Sequence, residues 1–226
     1  IGNVVGPNRG EGTGNSNGLP GDPDLQALIP DYEVQDATLL EFDFVPSGTT
    51  VTFDYVFASE EYNEYANSAY NDVFGFFLNG KNVALLPGTS TPVSINNVNG
   101  GNPYGAGPQN EGYYLCNSSD SCSLMDPDWS PARFDALEMD GLTVVFTVTA
   151  TVSAGVINRI KFAIADSGDS IYDSAVFIRA GSFSSKCGQA GAQATPPPAA
   201  SSAGLHGFPN PFRPGSGGAN DAAGGG

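Results

Sequence analysis

Three aspartates, Asp166, Asp169 and Asp173, fall within the stretch ADSGDSIYDS, directly after an apolar run. Two more acidic stretches share that setting. FASEEYNEY places Glu60 and Glu61 behind an apolar run, and AYNDVFGFF places Asp72 ahead of another. Carboxylates so placed have three uses: an acid/base pair, a cradle for a hard cation, or caps on solvated turns. A glycosidase needs two carboxyls facing one bond, about 5 to 9.5 Å apart. Strand geometry continued through Glu60 and Glu61 would turn them to opposite faces, and nothing in the sequence favours a pair such as Glu60 with Asp169. The single histidine, His206, lies in a Pro/Ala/Gly-rich stretch, so Ser–His or Cys–His activation has no base, and zinc lacks its ligands. No catalytic residue is assigned, and the chain reads as not an enzyme. Calcium takes about six to eight oxygens from carboxylates and amide or backbone carbonyls, and these stretches offer only oxygen. Asp166, Asp169, Asp173, Asp72, Glu60 and Glu61 are therefore the calcium candidates. Their spacing is not that of an EF-hand, so the fold would have to assemble the site. The alternative is Asp and Ser side chains satisfying turn N–H groups, each carboxylate solvated.

Composition supports a cation partner. With 24 acidic against 8 basic residues the net charge is −16, which repels nucleic acid and anionic lipid. Only 14% of residues are charged, while 40% are apolar and 14 are Phe, enough for a real core under an uncharged polar surface that suits an extracellular protein. No apolar run reaches the length of about 18 residues that a membrane helix needs. The opening IGNVVGPN lacks a Met and reads as a mature or excised segment. Cys116 and Cys122 bracket CNSSDSC; a surface disulfide is expected, two free thiols being the alternative. Cys187 is left over, free or paired with another chain. Asn117 opens an Asn-x-Ser glycosylation pattern.

The elements that must position these residues show a period of two. In TLLEFDFV, Leu40, Phe42 and Phe44 share a face; in TTVTFDYVF, Val51, Phe53, Tyr55 and Phe57 do; LTVVFTVTA and RIKFAIA repeat the pattern. VFGFFLNG, NVALLPG, PVSI and AVFIRAGSF add short strands. Eight or nine strands and no long helical period predict an all-β, jelly-roll-like antiparallel sandwich over 1–186. The first 22 residues are Gly- and Asn-rich and irregular. GDPDLQALI predicts a helical turn with Asp22 as cap and Pro23 first, which makes Asp22 and Asp24 cap and first-turn charge, not ligands. A long excursion over about 87–130 is expected to be pinned by Trp129, Tyr113 and Tyr114; in the alternative reading those rings form a sugar-stacking face. Residues 187–226 form a Pro/Ala/Gly-rich linker or tail.

The segments DATLLEFDFV, FASEEY, NDVFGFF and IADSGDSIYDS together resemble the choice-of-anchor L domain, over about residues 1–183, with GDPDL inside the match. The FPNPF run in the tail resembles the start of a type IX secretion sorting domain. The first resemblance implies a bacterial module, extracellular or at the cell surface, β-rich and with no assigned reaction. Members usually begin one or two strands earlier, so a missing strand before Ile1 would leave a sheet edge open to another chain. The function expected is a non-catalytic structural or adhesive surface module, calcium-stabilised, associating with itself or with other surface proteins or glycans, as in a filament or surface layer. A carbohydrate-binding module using Trp129 and the tyrosines is the alternative. No nucleic acid or membrane insertion is expected.

Overall fold

The computed structural model of the chain describes residues 4–10, 12–118, 121–125 and 136–186. Trp129, Cys187 and the whole segment 187–226 lie outside the described residues. The strands, in chain order, are β1 (Val34–Phe44), β2 (Thr50–Ser59), β3 (Val73–Leu78), β4 (Lys81–Asn82), β5 (Val93–Ser94), β6 (Tyr114–Cys116), β7 (Gly141–Thr143), β8 (Phe146–Thr151), β9 (Asn158–Ser167), β10 (Ser174–Ile178) and β11 (Ser184–Lys186). One sheet runs β1-β9-β3-β4 with β5 also on β3; the other runs β10-β2-β7-β6 with β8 and β11 also on β2. All pairs are antiparallel. The chain crosses repeatedly from one sheet to the other, which makes a β-sandwich of the expected class.

Alternation gives each strand its buried face. Val51, Phe53, Tyr55 and Phe57 all lie in the core between the sheets. The Phe53 ring meets Phe76 edge-on at 4.5 Å and Phe162 at 5.7 Å, and Phe76 stacks on Phe162 at 4.6 Å. Burying each such ring stabilises by about 2–3 kcal/mol before conformational entropy is counted. Asn79 and Gly80, with φ of 51° and 81°, make the left-handed two-residue turn that closes the β3–β4 hairpin.

Both outer faces are also covered. Helix α1 (Pro23–Leu28) starts as expected: Asp22 accepts hydrogen bonds from the Asp24 and Leu25 N–H groups. The helix packs Leu25 with Val34, Val73, Phe77, Ala163 and Ala165 on the first sheet. Lys161, on that face, reaches Asp22 at 2.8 Å and Asp24 at 2.6 Å, over the Phe77 ring. Burial opposes its charge, but hydrogen bonds to both aspartates outweigh this and hold its pKa above the ordinary value. On the second sheet, Leu137, Met139 and Leu142 cover Val56 and Ala58.

Three details depart from the sequence reading. LTVVFTVTA is two strands, β7 and β8, and the residues between them shift the pleat: Leu142 faces outward while Phe146 and Val148 face the core. NVALLPG contributes only the end of β4 and a single bridge from Leu85 to Pro92, because its carbonyls and amides turn into local loop bonds. Leu40 and Phe42 share the predicted inner face yet remain 57% and 38% exposed, because β1 is an edge strand.

Candidate functional site

Antiparallel pairing brings the acidic stretches to one end of the sandwich. Ser174 pairs with Ser59, Val34 with Ser167 and Val73 with Ala165. The end of β2, the end of β9 and the starts of β1, β3 and β10 therefore coincide there. Glu60 and Glu61 leave β2, Asp72 enters β3, Asp166 closes β9, and Asp169 and Asp173 lie in the loop to β10. That loop needs Gly168: its φ is 91°, and a Cβ there would stand 2.8 Å from the Ala69 carbonyl oxygen.

Asp72 is fully buried. It accepts the Ser167 N–H at 3.0 Å and the Ser174 hydroxyl at 2.7 Å, one residue from each sheet. Burial, and next the neighbouring Glu61, push its pKa well up against those two hydrogen bonds. Glu61 is 2% exposed, and its Oε2 is buried without a hydrogen-bond partner. Burial first, then the charges of Asp169 and Asp166, raise Glu61 to about 8. Asp166 also rises to about 8, by burial and then by Asp72, Asp173, Asp36 and Asp169. Glu61, Asp72 and Asp166 make no ion pair with Lys or Arg among the described residues.

The remaining carboxylates hold the N-terminal segment. Glu60 accepts the Thr13 N–H at 2.9 Å and Asp173 the Asn15 N–H at 2.9 Å. Asp36 accepts both the Asn17 and Leu19 N–H groups, at 2.6 and 2.9 Å. The Gly/Asn-rich opening is irregular, as expected, but it is a strap bound across the acidic end. Asp169 caps its own turn through the Ile171 N–H. Asp36 was not anticipated: it sits with φ 50° in a bulge between Gln35 and Thr38, which interrupts the alternation that would have revealed it.

The other sequence-selected residues are also placed. Cys116 and Cys122 form the disulfide, Cα atoms 5.7 Å apart. Asn117, the glycosylation candidate, is 6% exposed, and its side-chain amide donates to the Leu137 and Met139 carbonyls at 3.0 and 2.8 Å. Tyr113 packs on Phe146 at 5.4 Å and Tyr114 on Tyr62 at 4.9 Å, with the Tyr114 hydroxyl donated to Asn63. Both rings are half-buried in the domain; Trp129, the third residue of both readings, lies outside the described residues.

A family model for the choice-of-anchor L domain matches residues 1–184. The chain belongs to the choice-of-anchor L domain family. Neither the curated proteins nor the solved structures compared gave a match. Choice-of-anchor L domains are surface-associated modules and not an enzyme family. No described helix is long and apolar enough to cross a membrane. In this choice-of-anchor L domain the acidic end is an all-oxygen donor set. As placed, no three described acidic, histidine or cysteine side chains stand close enough to hold one ion together. At neutral pH protons on Glu61 and Asp166, each raised to about 8, relieve the repulsion among these groups.

Proposed function

We propose that this domain is a non-catalytic structural module of an extracellular or cell-surface protein, and that its acidic end takes calcium. The observation that carries the reading is Glu61: a buried carboxylate with an unpartnered oxygen, beside two more raised carboxyls, Asp72 and Asp166. Burying such a group unpaired is costly, and only a proton or a cation relieves it. Oxygen donors select a hard cation, and a flexible set with loop residues suits calcium over magnesium. Glu61, Asp72 and Asp166 would hold it, with Asp169 and Asp173 supplied by the loop, while Glu60 stays with the strap. Calcium would supply the counter-charge that draws these groups together. Carboxyls poised near neutrality also suit acid/base chemistry, but Glu61 is closed from substrate by its burial.

Thermal unfolding in excess calcium and in chelator, with light scattering, tests this. Calcium at about 100 times its Kd should add about 2.7 kcal/mol, or roughly 5–11 °C at ~2–4 °C per kcal/mol. Magnesium should add far less, and the pair Glu61→Gln with Asp166→Asn should abolish the shift. An unchanged Tm would leave the cluster as a proton-holding structural end only. Growth in particle size with calcium would extend the reading to assembly.

A further inference from the structure

Among the described residues the long edge of β1 is open. Thr38 to Asp43 are exposed, and among the described residues β1 pairs only with β9 along this stretch. The strap covers only its beginning, through the Pro20–Gln35 bridge and the bonds from the Asp36 and Ala37 amides.

The direction of the free groups follows from the neighbouring strand. Arg159 turns its N–H and C=O toward Asn79, on the β3 side. Alternation then points those of Asn158, Ile160, Phe162 and Ile164 at their β1 partners Phe44, Phe42, Leu40 and Thr38. The N–H and C=O groups of Leu39, Glu41 and Asp43 are left facing outward. No lysine, proline or bulge interrupts this run; its charged residues are Glu41 and Asp43, which guard it against an acidic strand and not against a basic one. On its inner side stand Leu40, 57% exposed, and Phe42, which meets Phe183, itself 36% exposed, at 6.2 Å. On its outer side Leu39, Glu41 and Asp43 alternate with them.

We propose that this edge receives an extended segment of another polypeptide, added as an antiparallel strand, whose residues alternate apolar with lysine or arginine. Charge selects that occupant. A strand laid on the edge would place every second side chain beside Glu41 and Asp43; Asp43 already meets Arg159 at 3.1 Å, but between exposed side chains such a pair is weak, and further opposite charge stabilises there while like charge does not. Its other side chains would lie beside Leu40 and Phe42. A second copy joined edge to edge would bring two sets of Glu41 and Asp43 into one strip, between chains of charge −16. The surface lies along the strand, beyond the acidic end, and does not depend on calcium.

The test uses the intact chain and two capped peptides, one alternating lysine with valine, the other glutamate with valine. The lysine peptide should bind and slow hydrogen exchange at the Leu39, Glu41 and Asp43 amides. The glutamate peptide should bind at least about tenfold more weakly. Leu39→Pro removes an outward N–H and leaves the β9 ladder intact, so it should abolish binding without unfolding the domain. Glu41→Lys with Asp43→Lys should invert the peptide preference. Equal binding of both peptides, or protection at another edge, overturns the proposal. Dimerisation of the chain alone with protection of those three amides replaces the partner by a second copy and overturns the charge argument.

Discussion

Glu61 and Asp166 share a property that reverses the usual behaviour of acidic side chains. Each is held at about 8, above its unfolded value near 4. The folded chain therefore binds protons more tightly than the unfolded one. The stabilisation is fully present below about pH 4 and is lost as pH rises through 8. The calcium-free domain should lose up to about 1.4 kcal/mol per pH unit for each proton held between pH 5 and 8. Glu61→Gln, which fixes the neutral form, should remove the Glu61 share of that slope and raise Tm at pH 8 by up to roughly 8–17 °C; denaturation in chelator across pH checks both. A variant whose Tm keeps the wild-type slope would place the proton elsewhere. These residues were legible because each borders an apolar run, and antiparallel runs must bring their ends together. How each carboxylate is used was not legible: Glu60 and Glu61 are adjacent in sequence and both buried, yet one accepts the strap and the other keeps an unpartnered oxygen.

At the scale of elements, the strap is the least autonomous piece, since carboxylates of the domain hold its amides. Asp36 alone accepts two of them. Asp36→Ala should free the segment from Asn17 to Leu19, raising hydrogen exchange at the Asn17 and Leu19 amides and costing about 1–3 kcal/mol. The helix α1 is tied differently. Lys161→Met would strand the buried Asp22 carboxylate at a cost of about 3 kcal/mol, whereas Asp24→Asn, on a half-exposed group, should cost under ~1 kcal/mol; urea titrations of the two variants separate them. Period-two patterning showed β1, β2 and β9 because their faces differ in polarity, whereas β3, buried on both faces, was legible as a short apolar run. It failed at Val144 and Val145, where an irregularity between two apolar residues leaves no polar mark even though Val145 is exposed. It also overstated the burial of Leu40 and Phe42, since alternation tells which face a side chain takes and not whether the strand lies at an edge.

For the whole molecule, the charge of −16 offers a trivial route to calcium stabilisation, by diffuse screening, and the two routes separate by ion and by pH. Screening over a Debye length of about 8 Å at 0.15 M ionic strength depends on valence, so magnesium and calcium would act alike and sodium chloride would erase most of the effect. A site built on Glu61, Asp72 and Asp166 behaves otherwise. Calcium must displace protons held there up to about pH 8, so its apparent affinity should strengthen as pH rises from 6 to 8. The gain is bounded at about tenfold per pH unit for each proton displaced. Calorimetric titration at pH 6, 7 and 8 in 0.15 M sodium chloride, in two buffers of different ionisation enthalpy, reads the affinity and the protons released together. A steepening affinity with proton release would assign the cation to the strand ends. A flat, salt-erased response equal for both metals would assign it to the surface charge and leave the acidic end to its protons.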